Sequence, residues 1–320
     1  MNDRTHSFAS ASDHLEQKPK RVRLANNIHG YISDHDPNCG FVVGDEHVVA
    51  IDTRPTPRMA RTFLADIAAV TDKPVKFIVL THYHAVRVMG ASAFPDVQAI
   101  FASRGTSDWI RDRGRADFDS EVGRFPRLFA GVEEVPGLTV PTVVFERQLS
   151  VFVGRLELKL INLGRGHSMG DTVCWIPEEG VLFAGDVVEN RCGVYAGDAY
   201  LRDWTQTLDT LAALAPRVMV PGRGSVLETP EACQAAVDLT RSFLQTLLDA
   251  VRLAVANGET LRQAYARAEA AMAPGFGHWP VFQHVLPFDV SRAFDELSGI
   301  EHPRIWTAER DQELWQTLRG

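Results

Sequence analysis

The chain has 320 residues, 45% hydrophobic and 23% charged, the make-up of a globular protein of one large domain or two small ones; a disordered, collagen-like or disulfide-scaffold chain is excluded. Its 33 basic and 41 acidic residues leave a net charge of −8, so the chain as a whole offers no basic footprint for nucleic acid. No stretch approaches 18 uninterrupted apolar residues, the polar N-terminus lacks a signal-like apolar core, and Cys39, Cys174, Cys192 and Cys233 show no C-x-x-C spacing: a cytoplasmic protein with reduced thiols and no membrane association is expected.

Residues 1 to about 20 read as a polar, disordered lead. From Arg21 the pattern is strand-like, and GFVVGDEHVVAIDT (40–53) holds two β-rich runs around a Gly-Asp turn. Met59, Phe63, Leu64 and Ile67 recur at helical spacing and predict a helix from Pro57 to Val70. VKFIVLTHYH (75–84) is a continuous apolar run, the mark of a strand buried on both faces, and ends abruptly in polar residues where a strand would open onto a cleft. Residues 104–130 carry Arg104, Arg111, Arg113, Arg115, Arg124 and Arg127 and read as a solvated helix-and-loop face, with a basic lid over an active site as the alternative. LELKLINLG, VCWIP and VLFAGDVV predict three more strands, 204–214 a helix, and 217–224 a last short strand. After Thr229 the chain turns helical: a long amphipathic helix ends at Gly258, and further helices are expected over 259–272, 289–298 and 308–318. The expectation is therefore an α/β body over 21–228 and a helical extension over 229–320.

Five polar residues sit at predicted strand ends or in the loop between two strands: Asp52 after VVAI, His82 and His84 in T-H-Y-H, His167 in G-R-G-H-S-M-G-D, and Asp186 after VLFAG. Two imidazoles two residues apart can reach one metal ion where the backbone turns, although His-x-His alone is a weak signal. A buried, unpaired carboxylate is costly, so acidic and imidazole groups gathered at one sheet edge are better explained by coordination than by core packing. Tyr83, Tyr195 and Trp204 are read as core or rim packing, His278 and His284 as surface or structural, with a tail folded back over the cleft as the alternative that would bring one of them to it, and Cys192 as a small buried filler.

These motifs resemble those of the metallo-β-lactamase-fold hydrolases. The early strand ending in Asp is matched by Asp52, the T-H-x-H-x-D-H motif begins at Thr81, and the Gly-His-Ser/Thr-x-Gly-Asp loop is matched by Gly166 to Asp171. Gly185-Asp186 follows a strand, and Pro221-Gly222-Arg223-Gly224 stands where the family has P-G-H-G. The resemblance spans about 25–228 and implies an αββα sandwich with the site at one edge of its sheets. It implies His82, His84 and His167 as ligands of a first metal, with Asp186 bridging to a second. Ligands unique to that second metal are replaced, because Val86 and Arg87 stand for the Asp-His pair and Arg223 for the last histidine. One ion is therefore expected, zinc by preference and iron as the alternative. Asp52 is expected to anchor the histidine loop by hydrogen bonding rather than to ligate.

Arg87 and Arg223 are expected at the site beside Asp186, pairing with it or binding an anionic substrate group. The segment from Gly185 through G-D-A-Y and D-W-T-Q-T-L-D resembles the branch of SoxH and quinoprotein-relay hydrolases, whose members carry a helical C-terminal region that packs on the body or makes a dimer contact. The reading that follows is a hydrolase of a small-molecule, anionic ester, thioester, lactone or phosphoester, using a water activated by a single metal ion; β-lactam turnover is not expected. Two other readings stay open: a mononuclear iron dioxygenase of persulfide type, and a metal-free anion-binding protein on the same fold.

Overall fold

The computed structural model describes residues 17–319. Twelve strands form two sheets among these residues. The first holds β1 (Lys20–Ala25), β2 (Ile28–Ile32), β3 (Cys39–Val43), β4 (Val48–Ile51), β5 (Val75–Val79), β6 (Ala99–Ser103) and β7 (Val143–Phe145), neighbours in chain order. The second runs β12 (Val218–Val220), β11 (Val181–Phe183), β10 (Asp171–Ile176), β9 (Leu156–Gly164), β8 (Gln148–Val153). Period-two alternation sorts their side chains: Val42, Val49, Ile51 and Val79 meet Leu158, Leu160, Cys174, Ile176 and Phe183 in a core between the sheets. The opposite faces, carrying Phe41, Ala50 and Ile78 on one sheet and Val173 and Leu182 on the other, are covered by helices. The result is the αββα sandwich expected.

The helices follow local signals. α1 (Pro57–Ala68) starts at Thr56, whose hydroxyl accepts from Met59 N, with Pro57 at its first position. α2 (Ala85–Val88) leads directly out of the histidine loop. α3 (Arg104–Arg124), α4 (Leu201–Ala212), α5 (Pro230–Ala256), α6 (Leu261–Phe276), α7 (Phe282–Leu297) and α8 (Ala308–Arg319) complete the set. Gly258, with φ +69°, turns the chain out of α5 as anticipated. Helix α7 starts seven residues earlier than its apolar pattern suggested, with Pro287 inside it. The anticipated N-terminal lead falls mostly on residues 1–16, outside the described residues, and Lys20 already pairs with Ile32.

Residues 104–130 differ most from expectation. Arg104, Arg111 and Arg115 face solvent, but Arg113, Asp117, Ser120 and Arg124 are buried on the inner side of α3. The segment is neither a fully solvated face nor a basic lid: its inner face is a mixed-charge wall of the site. All four cysteines are free and buried, and no helix among the described residues is long and apolar enough to cross a membrane.

Candidate active site

Parallel pairing of β4 with β5, and of β11 with β12, brings the C-terminal ends of these strands to one edge of the sandwich. Asp52 follows β4 with φ +59°, a left-handed conformation rare outside glycine that aims its carboxylate across to the next strand. Its Oδ1 accepts from Thr81 N at 2.9 Å and its Oδ2 from the Thr81 hydroxyl at 2.8 Å. With that hydroxyl proton committed, the Thr81 oxygen, 3.0 Å from His82 Nδ1, accepts from the ring. The inner nitrogen, His82 Nε2, is buried and has no hydrogen-bond partner among the described residues.

The other two histidines are held in the same way. His167 Nδ1 donates to the Tyr195 carbonyl at 2.9 Å, and His84 Nε2 lies 3.2 Å from Asp198 Oδ2. Their inner nitrogens, His84 Nδ1 and His167 Nε2, are 3.0 Å apart. When both outer nitrogens carry protons, two lone pairs face each other, and a cation must lie between them. In the metal-free site that cation is a proton on His84: burial opposes its charge, but Asp117 and Asp198 outweigh burial and lift its pKa to about 9. Burial, then the charge of His84, pushes His167 down to about 3, and burial holds His82 well below the usual imidazole range.

Asp186 closes the group from the turn after β11. Its Oδ2 lies 3.6 Å from His82 Nε2 and 3.8 Å from His167 Nε2. Gly185, at φ +55°, and Gly222, where a Cβ would come within 2.4 Å of Asp186 Oδ1, leave room for the carboxylate. Burial alone would neutralise Asp186, but Arg87 and Arg223 hold its carboxyl well below the usual range. Arg87 Nη2 donates to Asp186 Oδ1, and Arg223 Nη1 donates to Asp186 Oδ2 at 3.0 Å.

Donor atoms of His82, His84, His167 and Asp186 all lie within 4.8 Å of one another. Ligands about 2.0–2.1 Å from a zinc-sized ion stand about 3.3 Å apart at the corners of a tetrahedron, and the separations of 3.0, 3.6 and 3.8 Å bracket that edge. The outward nitrogens are all engaged and the inward ones all converge, the arrangement by which proteins orient ligating imidazoles. The residues present fit a divalent metal.

Asp52 reaches His82 through Thr81, which donates to both of its carboxylate oxygens, and does not enter the group. Arg87 is placed differently from the substrate-binding reading: it is 1% exposed, and its terminal nitrogens bond Asp186, the Asn38 carbonyl and the Gly222 carbonyl. Buried and engaged in this way, with Nη1 also 3.5 Å from Asp52 Oδ2, the guanidinium stands beside Asp186 as its ion-pair partner. Arg223 bonds Asp186 and, at 2.8 Å, Glu189, while also lining a cavity beside the histidines. Tyr83 packs between His84 and Trp109, Trp204 packs on the His167 ring, and Cys192 is a buried thiol pushed up to about 12 by burial. Tyr195 lines the cavity, His278 is exposed, and His284 reaches the cavity wall.

Sequence reasoning missed the acidic groups behind His84. Asp117 and Glu121, one turn apart on α3, accept from Ala85 N at 2.9 Å and Val86 N at 3.1 Å, taking up free amides at the start of α2. Asp198 receives the Tyr195 hydroxyl at 3.1 Å as well as His84. Asp198 sits in the noted G-D-A-Y segment; Asp117 and Glu121 belong to no motif.

The fold and this edge site match a known group. The chain belongs to the metallo-beta-lactamase superfamily, whose profile matches residues 33–223. The metallo-beta-lactamase type 2 of Bacteroides fragilis is 36% identical over 93 residues, which cover 28% of this chain and 37% of that protein. A linear primary-alkylsulfatase of Pseudomonas sp. (strain ATCC 19151) is 23% identical over 244 residues, covering 65% of this chain and 45% of that protein. The chain thus spans less than half the length of these two relatives. Among solved structures, the sec-alkylsulfatase Pisa1 from Pseudomonas sp. superposes with a TM-score of 0.64 at 16% identity, over 87% of this chain and 50% of that one.

Proposed function

We propose that the protein is a mononuclear metallo-hydrolase of small ester-type substrates, with His82, His84, His167 and Asp186 as the metal ligands. The observation that carries this reading is the set of three imidazoles whose outer nitrogens are fixed by Thr81, Tyr195 and Asp198 while their inner nitrogens converge. A divalent ion there, zinc by preference, would polarise a substrate oxygen and bring the pKa of a water to about 7.

The residues divide the remaining work. Asp186 donates with oxygens already shared with Arg87 and Arg223, which draws charge from it and makes it the weakest and most yielding of the four donors. The two guanidinium groups occupy the ground beside Asp186 and stand electrostatically for a second ion. Arg223, at the cavity wall, is positioned to receive an anionic substrate group or the negative charge that develops during acyl or phosphoryl transfer. Val86, Phe125 and Leu128 keep one side of the cavity apolar and dry.

The test is a substrate panel on zinc-loaded protein: short p-nitrophenyl esters, a thioester, a lactone, p-nitrophenyl phosphate and a primary alkyl sulfate, the last because of the alkylsulfatase relative. Hydrolysis of at least one, lost in His167→Ala, supports the reading. No turnover of any, with iron bound and oxygen consumed, would replace it with the dioxygenase.

A further inference from the structure

Beside the histidines lies a cavity of about 40 Å³, room for about three waters. His84 and Asp186 line it from the side of the metal ligands, so a water held at that group and the reacting end of a substrate meet in this space. Its two carboxylates differ in what they can still accept. Asp186 has an arginine on each oxygen. Glu121, from the last turn of α3, enters the same cavity with one oxygen committed: Oε2 accepts from Val86 N at 3.1 Å, while Oε1 has no hydrogen-bond partner among the described residues. The bond to Val86 holds the carboxylate against the turn that follows His84. Around Glu121 stand His84 in the ligand loop, Asp117 and Arg124 on its own helix, Arg223 after β12, His35 from the β2–β3 loop, Tyr195 beside His167, and His284 on α7. Burial and the charges of Arg124 and Arg223 hold His284 well below the usual imidazole range, and burial lifts Tyr195 well above that of a phenol. Burial also outweighs the charges of His84 and Arg124 and raises Glu121 above an ordinary glutamate, which brings its basicity towards neutrality.

We propose that Glu121 is the proton acceptor of the site, deprotonating the water that attacks the substrate. The proposal rests on the hydrolase reading for its reaction. As the water oxygen bonds to the acyl carbon, one of its protons passes to Glu121 Oε1. That proton goes on to the leaving oxygen as the ester C–O bond breaks, so ester and water become acid and alcohol and the carboxylate is restored. Proton acceptance can be read without turnover. Acetohydroxamic acid binds a zinc-loaded site as its anion and gives up a proton at pH 7; calorimetric titration in two buffers of different ionisation enthalpy counts the protons that reach solvent. Glu121→Gln, which keeps an oxygen for Val86 N, releases about one proton more per chain than the wild type. It retains about one zinc by elemental analysis and cleaves the panel esters with kcat lowered at least about a hundredfold. His35→Asn matches the wild type in proton release. Equal release by the wild type and Glu121→Gln, a kcat within about tenfold of wild type, loss of zinc from Glu121→Gln, or extra release by His35→Asn would overturn the assignment. The extra proton from Glu121→Gln, with no ester cleaved by the wild type, would leave it standing and sink the hydrolase reading alone.

Discussion

Asp186 and Asp117, on opposite flanks of the histidine group, are shifted in opposite directions. On one flank Asp186 is buried, yet Arg87 and Arg223 keep it ionised. On the other, Asp117 is equally buried, and burial together with the neighbouring Glu121 pushes its carboxyl well above the usual range. The difference is one of partners rather than depth: a guanidinium on each oxygen offsets desolvation, whereas a second carboxylate adds to it. The arginine flank is therefore built to present a fixed negative donor to the histidines. The acidic flank grips the α2 backbone and sets the orientation of His84.

Substitutions can break this contrast. The largest effect is expected from the histidines: His82→Ala or His167→Ala should cost more than about a hundredfold in metal affinity, since even loss of an outer partner costs about 10–100-fold. Competition with a chromophoric chelator reads this, and near-wild-type affinity in His167→Ala would remove that residue from the ligand set. Arg87→Met should destabilise the fold by about 3–5 kcal/mol in urea unfolding, because it strips the buried Asp186 of one partner and leaves the Asn38 carbonyl without the donor that Arg87 supplies. A loss below about 1 kcal/mol would show that Arg223 alone sustains the carboxylate.

Thr81→Val keeps the shape of the loop but cuts the relay from Asp52 to His82. Metal affinity should fall about 10–100-fold, with about 1–3 kcal/mol lost in stability from the buried groups left unpaired. The smallest effect sharpens the comparison just behind the loop that holds His167. Asp289 of α7 accepts from Ala196 N at 2.6 Å through Oδ1, its Oδ2 has no partner, and burial raises its pKa well above the usual value. A carboxyl raised in the folded state keeps its proton there while the unfolded chain loses it near pH 4, so its contribution is full below that pH and fades as pH rises. Asp289→Asn should therefore be more stable than wild type at pH 8, with the gain gone at pH 4, as thermal unfolding at the two values would show. An equal difference at both would contradict a raised pKa.

The histidine site was legible because its information is local. T-H-Y-H follows an apolar run, His167 lies in a Gly-rich loop and Asp186 follows a strand, so each residue type at a strand end or turn carries its own signal. Helix α1 was legible for the same reason, through the apolar repeat of Met59, Phe63, Leu64 and Ile67 after Pro57. The acidic flank was not. Asp117 and Glu121 bond amides 32 and 35 positions away, and on an arginine-rich helix they look like any solvated charges. His284, in the C-terminal region, reaches the site only because α7 folds back to the edge of the sandwich. The destination of Arg87 was half legible: its closeness to Asp186 followed from the motif, but its burial under Asn38 and Gly222 depends on loops from both sheets.

The central claim is one metal ion held by three histidines, with two arginines in place of a second. Elemental analysis of protein purified without chelator or histidine tag tests it most directly. The account predicts about one zinc per chain, lost in His82→Ala and in His167→Ala; two ions per chain, or none at any supplied concentration, would contradict it.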